Sequence, residues 1–363
     1  MIGKTNFRDP ELAKRVVEKI RETAVKSETV KICHVCGTHE WVITHFGIRS
    51  LLPPNVEVIA GPGCPVCIVP ASEIDEAVQL ALKGITITCF GDVLRVPGSE
   101  TSLLGAKAEG ADVRIVYSVS DAIKMAEKEP NKEFTFFAVG FETTAPSTAV
   151  EALKNPPRNL SFLISHRLIP PAMKLLAGME DLNLDGFIAP GHVSTIIGLK
   201  AYETFPKVYG MPTVVAGFEP LDILFGVYMI LKQLKEQKPR LENEYIRAVS
   251  REGNVKAQEL MQKVFDTIDG GWRGLGTIAS SKFTFNEKYA KHDARLKYGV
   301  KVEHGIDIQH GCKCHLVIIG KIKPTECPLF MKTCTPQKPV GACMVSIEGT
   351  CSIWAKTQID KTK

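Results

Sequence analysis

Through its first two thirds the chain repeats one pattern: a short β-branched or apolar run, a polar turn bearing Gly or Pro, and a segment with helical apolar spacing. Examples are VKICHVCGTHEWVITHF, VEVIAGPGCPVCIVPASEIDEAVQLAL, FTFFAVGFETTAPSTAVEAL, FIAPGHVSTIIG and TVVAGFEPLDILFGVYMILKQL. Such alternation predicts βα units on parallel sheets, whose buried strands read as continuous apolar runs. In that class the turns after the strand C-termini line the ligand crevice. Cys36, His39, Cys64, Cys67, Asp92, Glu142, His166, His192 and Glu219 all stand in such turns. Seven units are many for one sheet with short connections, and AEKEPNKEF around Pro130 reads as a surface break. We therefore expect two α/β domains, 1–130 and 131–236, with parallel sheets facing a central cleft. After Leu234 the run KEQKPRLENEY reads as a linker, and VKAQELMQKVFDTIDG as a helix ending at Gly. Residues 237–363, turn-rich and then cysteine-rich, form an expected third domain.

Hydrophobic residues at 44% and charged residues at 23% belong to a soluble globular chain. No run approaches the roughly 20 apolar residues that span a bilayer, and the N-terminus lacks the apolar core of a signal peptide. These features predict a cytoplasmic protein with no membrane contact. The net charge of +5 is spread through mixed-sign stretches such as REGNVKAQELMQK, which argues against nucleic-acid binding. Eleven cysteines without an export signal point to metal ligation or thiol redox chemistry. Five lie from Cys33 to Cys89 and six from Cys312 onward, so two thiol sites are expected.

In the C-terminal group Cys312, Cys327, Cys334 and Cys351 are separated by fourteen, six and sixteen residues, with Cys314 and Cys343 interspersed. The intervening segments are Pro-rich and carry little core, so a bound centre must hold them. Wide single spacings favour an iron-sulfur cluster over zinc, which draws on close pairs. Spacing leaves zinc and free thiols open, and it does not choose four ligands among six cysteines. In the N-terminal group, Cys33 and Cys36 with Cys64 and Cys67 match a four-cysteine zinc spacing. Cys33, however, falls inside a predicted strand, where it packs as a small hydrophobe. Cys64 and Cys67 have the C-P-x-C arrangement of a redox couple, and a helix opening at the pair would favour its thiolate. Cys36 is followed closely by His39 and Glu40, a neighbourhood suited to an activated nucleophile or a soft metal site. Asp92, Glu142 and His192 also have plain structural readings: an Asp92–Arg95 ion pair, a carboxylate at a helix N-terminus, and a turn hydrogen bond. Their case for function is collective, as groups that converge on one cleft.

The set CGTHE, GPGCPVC, GFETT, PGHVS and C-x14-C-x6-C-x16-C, in this order over essentially the whole chain, resembles the HypD family of [NiFe] hydrogenase maturation factors. The resemblance implies two α/β domains about a cleft and a domain holding a [4Fe-4S] cluster on Cys312, Cys327, Cys334 and Cys351. It implies that the chain, with a HypC-like chaperone, scaffolds an Fe(CN)2CO unit whose cyanide comes from a HypE-like donor. By the same resemblance Cys36 is the iron ligand, His39 the motif histidine, and Cys64 and Cys67 the redox dithiol. No role is carried onto Cys33, Cys89, Cys314 or Cys343. A dithiol-disulfide oxidoreductase dependent on an iron-sulfur cluster is the alternative reading.

Overall fold

The computed structural model describes residues 6–24 and 29–361; Met1–Thr5, part of the N-terminal stretch read above, lie outside them. The apolar runs become strands: β1 (Val30–His34), β2 (Val56–Ala60), β3 (Thr86–Cys89), β4 (Val113–Ile115), β5 (Phe134–Gly140), β6 (Leu160–His166), β7 (Gly186–Pro190), β8 (Thr213–Ala216), β9 (Leu241–Asn243), β10 (Phe265–Trp272) and β11 (Gly276–Phe285). Every residue of β5, β6 and β7 is buried, as expected of parallel strands covered on both faces.

Strands β1 to β9 form two parallel sheets, one ordered β2-β1-β7-β8-β9 and the other β4-β3-β5-β6; β10 and β11 make a separate antiparallel hairpin. The fold is thus α/β with two parallel sheets. The division at residue 130 needs correction, because β3 and β4 precede it yet pair in the sheet of β5 and β6. The chain builds β1 and β2, crosses to build all of the four-stranded sheet, and returns to complete the first sheet with β7 to β9. The start of the third region is likewise shared, since β9 extends the five-stranded sheet.

The crossing helix Ala71–Leu82 is fixed by buried charge. Glu73 accepts from Arg167, Ser165 and Lys282, and Arg295 pairs with Glu76 at 2.8 Å. These cations come from the end of β6, from β11 and from the helix Ala294–Tyr298. Removing one partner of such a set leaves an uncompensated buried charge, so it sets the register of the layers. Among the described residues no helix is long and apolar enough to cross a membrane.

Candidate functional site

β1 and β2 are parallel neighbours in register from Val30/Val56 to His34/Ala60, so the turns that follow them leave the sheet together. The Gly61 N–H donates to the His34 carbonyl at 2.7 Å. A Cβ at Gly63 would come within 2.2 Å of the Cys36 amide nitrogen, so only glycine lets the two turns meet. As a result Cys36, Cys64 and Cys67 line one cavity of about 10 Å³, together with His34, Pro62, Ile68, Ile318, Glu348 and Thr350 among others. Cys64 and Cys67 are joined as a disulfide. Their turn ends before the helix at Ala71, so the pair does not open a helix and the helix-dipole account of its reactivity does not apply.

Cys36 is the N-cap residue of the helix Gly37–His45. Burial pushes its thiol up to about 11, against a smaller opposing pull from the amides of His39 and Thr38. Cys33 lies buried within β1, as expected. His39 does not serve Cys36 as a base: its Nε2 faces the Ala216 carbonyl at 3.2 Å, its ring packs on Phe218, and burial pushes it down to about 3, so it is neutral. Glu40 also turns away from the sulfur. It pairs with Arg49 at 2.7 Å and His34 at 2.8 Å, and it accepts from the Trp354 indole at 2.8 Å.

The other turn residues separate. Asp92 and Arg95 are not an ion pair: Asp92 accepts from the Ser346 hydroxyl at 3.1 Å, and Arg95 donates to the Pro336 and Gln337 carbonyls. Glu142 accepts from the Ile169 amide at 3.0 Å, capping a helix other than the one it precedes in sequence. Its second oxygen is buried without a partner, and burial pushes the carboxyl up to about 8. It lines a different cavity, of about 1000 Å³, between Lys174, Lys200, Val255 and Phe283. His192 is exposed and stacks on Phe218 at 3.8 Å. Sequence reasoning missed His34, Ile318, Glu348 and Thr350; the one signal was that Glu348 and Thr350 sit just before Cys351 in IEGTC.

At the other end of the chain, all six C-terminal cysteines are buried in one apolar cluster, which also contains Cys64 and Cys67. Cys312 is lowered to about 7 by a hydrogen bond from Cys314 and by nearby Arg273, and Cys343 and Cys351 form a second close pair. A Cβ at Gly341 would lie 2.7 Å from the Cys312 Sγ. Buried sulfurs, a buried guanidinium beside them and a glycine cradle fit an anionic sulfur-ligated group such as an iron-sulfur cluster. Cys314 and Cys343 stand beside expected ligands, which spacing alone left ambiguous. Among the described residues no three or more His, Cys, Asp or Glu side chains are arranged for a single metal ion. The two sites meet where the Cys67 Sγ lies 3.9 Å from the Ala342 carbonyl, next to Gly341 and Cys343.

The family model HypD, described as Hydrogenase formation hypA family, matches residues 11–358. A Methanocaldococcus jannaschii protein, whose name refers to hydrogenase expression/formation, is 50% identical over 97% of this chain and 98% of its own. The hydrogenase maturation factor HypD of Cupriavidus necator is 41% identical over 95% of this chain and 94% of its own. That of Escherichia coli is 43% identical over 96% of each chain. The match spans both sheets and both cysteine groups, and the chain belongs to the HypD family of hydrogenase maturation factors.

Proposed function

We propose that this chain, together with a HypC-like chaperone, holds the iron of an Fe(CN)2CO unit on Cys36 while the unit is assembled, with cyanide arriving from a HypE-like donor. Cys64 and Cys67 supply the electrons of cyanide transfer, and Cys312, Cys327, Cys334 and Cys351 hold a [4Fe-4S] cluster. The observation that carries this reading is the shared cavity of Cys36, Cys64 and Cys67, whose disulfide abuts the chain between the C-terminal cysteines.

Releasing cyanide from a donor thiocyanate takes two electrons: the S–CN bond breaks, the carbon leaves as CN⁻ and the donor sulfur as thiolate. Oxidation of two thiols to a disulfide yields two electrons and two protons, so the Cys64–Cys67 disulfide is the oxidised end of that step. A bound [4Fe-4S] cluster supplies single electrons at low potential. Ferrous iron with strong-field ligands prefers a soft donor, and Cys36 is the thiol of the cavity not used by the disulfide. Burial withholds the Cys36 proton until a cation is present to replace it. The alternative, a reductase of protein disulfides, is disfavoured because Cys64 and Cys67 are only 6% and 2% exposed.

Infrared spectra of the complex co-purified anaerobically with its chaperone test this. Cys36→Ala loses the cyanide and carbonyl stretching bands while the absorbance near 400 nm stays; bands of unchanged intensity in the variant would remove Cys36 as ligand.

A further inference from the structure

The thiol cavity is too small for an iron unit. Its roughly 10 Å³ is about what one water needs, and an iron with three diatomic ligands is many times larger. Over Cys36 runs the short segment 346–349, between the helices Ala342–Val345 and Thr350–Lys361, and its Glu348 lines the cavity together with Thr350 at the start of the second helix. Glu348 lies directly on the first residue of the helix that follows Cys36: a Cβ at Gly37 would come 2.5 Å from its Cβ and 2.6 Å from its carbonyl oxygen. The Ser346 hydroxyl donates to Asp92 at 3.1 Å and accepts from the Glu348 amide at 3.2 Å. Arg95, three residues along from Asp92, holds the Pro336 and Gln337 carbonyls.

We infer that residues 346–349 form a strap that lifts to admit the iron unit to Cys36, and that Asp92 is the positioning residue that holds the strap down through Ser346. The purpose of the strap rests on the proposed role of Cys36; its geometry does not. Asp92 follows β3 of the four-stranded sheet, whereas Cys36 follows β1 of the five-stranded sheet. The latch therefore spans the two sheet units, and a movement of one against the other releases it. The strap is anchored at its ends, where Ser346 and Gly349 are buried and their N–H groups donate to the Ala342 carbonyl at 3.3 Å and the Ser346 carbonyl at 3.1 Å; its middle, exposed Ile347 and half-buried Glu348, is the part that lifts once the latch opens.

The test is the rate at which iodoacetamide alkylates Cys36 in the full-length, anaerobically purified protein, read by peptide mass spectrometry, with buried Cys33 as the internal control. Wild-type Cys36 reacts far more slowly than in the urea-unfolded chain. Asp92→Ala and Ser346→Ala each raise its rate about tenfold, the value of one ordinary hydrogen bond. Asp92→Asn, which keeps an acceptor oxygen, stays near wild type, and Cys33 is unchanged throughout. Wild-type labelling at the unfolded rate, no acceleration in either alanine variant, or equal acceleration of Cys33 would overturn the inference. Amide exchange of the wild type gives an independent reading that does not depend on any variant folding: residues 346–349 exchange faster than the helix Ala71–Leu82, and equal protection overturns the strap. Labelling reports the strap and the infrared bands report the ligand, so failure of one leaves the other standing.

Discussion

At Gly341 one hydrogen atom in place of a methyl group decides whether the C-terminal cysteines meet. A Cβ there falls 2.7 Å from the Cys312 Sγ, closer than real contacts come, and 3.4 Å from the Cys314 Sγ, at the near edge of ordinary contact. The backbone at this position is ordinary, with φ −110°, so the demand is for space alone. Gly341→Ala is expected to cost about 1–3 kcal/mol, the usual cost of overpacking, and to lower the absorbance near 400 nm per chain. Its thermal midpoint and absorbance after anaerobic purification check this, and an unchanged pair would show that the cradle is loose. The sequence made this residue type legible at GPGC, where two glycines precede a cysteine, but not at Gly341, whose neighbour lies twenty-nine positions away at Cys312. The partners of Asp92 and Arg95 are hidden for the same reason. Two opposite charges three apart suggest a local pair, yet their partners stand 254 and 241 residues further on.

At the scale of elements, the helix Gly37–His45 that carries Cys36 is pinned to the C-terminal helix Thr350–Lys361 through one buried carboxylate. Glu40 is buried, and Arg49, His34 and Trp354 converge on it, with the Arg49 guanidinium also over the Trp354 ring at 5.5 Å. Glu40→Gln leaves Arg49 without its counter-charge and is expected to destabilise by about 3 kcal/mol. Trp354→Phe keeps a smaller aromatic ring and drops one hydrogen bond, which alone is worth about 1 kcal/mol. Urea unfolding of both variants checks the order, and the reverse order would mean that ring packing rather than charge joins the helices. Which residues form strands was legible because β-branched runs bounded by Gly and Pro leave little choice. Which strands share a sheet was not. β2 leads into a crossing helix that carries the chain to another sheet, and the ion pairs that fix this helix come from Arg167, Lys282 and Arg295, far along the chain.

At the scale of the whole molecule, buried titratable groups of opposite sign shape the pH dependence of stability. His39 and His166 are held down to about 3 by burial. Below about 6.5, the ordinary imidazole value, the unfolded chain takes up protons that the fold refuses, so these residues withdraw stability as pH falls. Glu142, pushed up to about 8, and Glu244, pushed up to about 7, do the reverse. Their protonated forms favour the fold, fully below about 4.5, and that contribution fades as pH rises through the folded values. Between about 4.5 and 6.5 the two sets oppose each other, with Glu76 and Glu348 added to the raised carboxyls and His192, His292 and His315 to the lowered imidazoles, and stability changes little. Below about 4.5 the imidazoles are joined by Glu40 and Glu73, whose folded values are depressed through Arg49 and Arg167 against their burial, and stability falls steeply. Above about 6.5 the raised carboxyls act, each at about 1.4 kcal/mol per pH unit at most, and from about 7 the depressed Cys312 thiol offsets one of them. The expected profile is therefore a plateau in weak acid with a shallow alkaline decline to about pH 8. Glu142→Gln, which keeps the shape and the Ile169 contact but cannot ionise, should flatten much of that decline and leave the acid limb in place. Urea midpoints of wild type and variant from pH 4 to 8, measured anaerobically, decide it: an alkaline limb unchanged in Glu142→Gln would mean that the carboxyl is ionised in the fold and that the cavity it lines is wetter than its burial indicates.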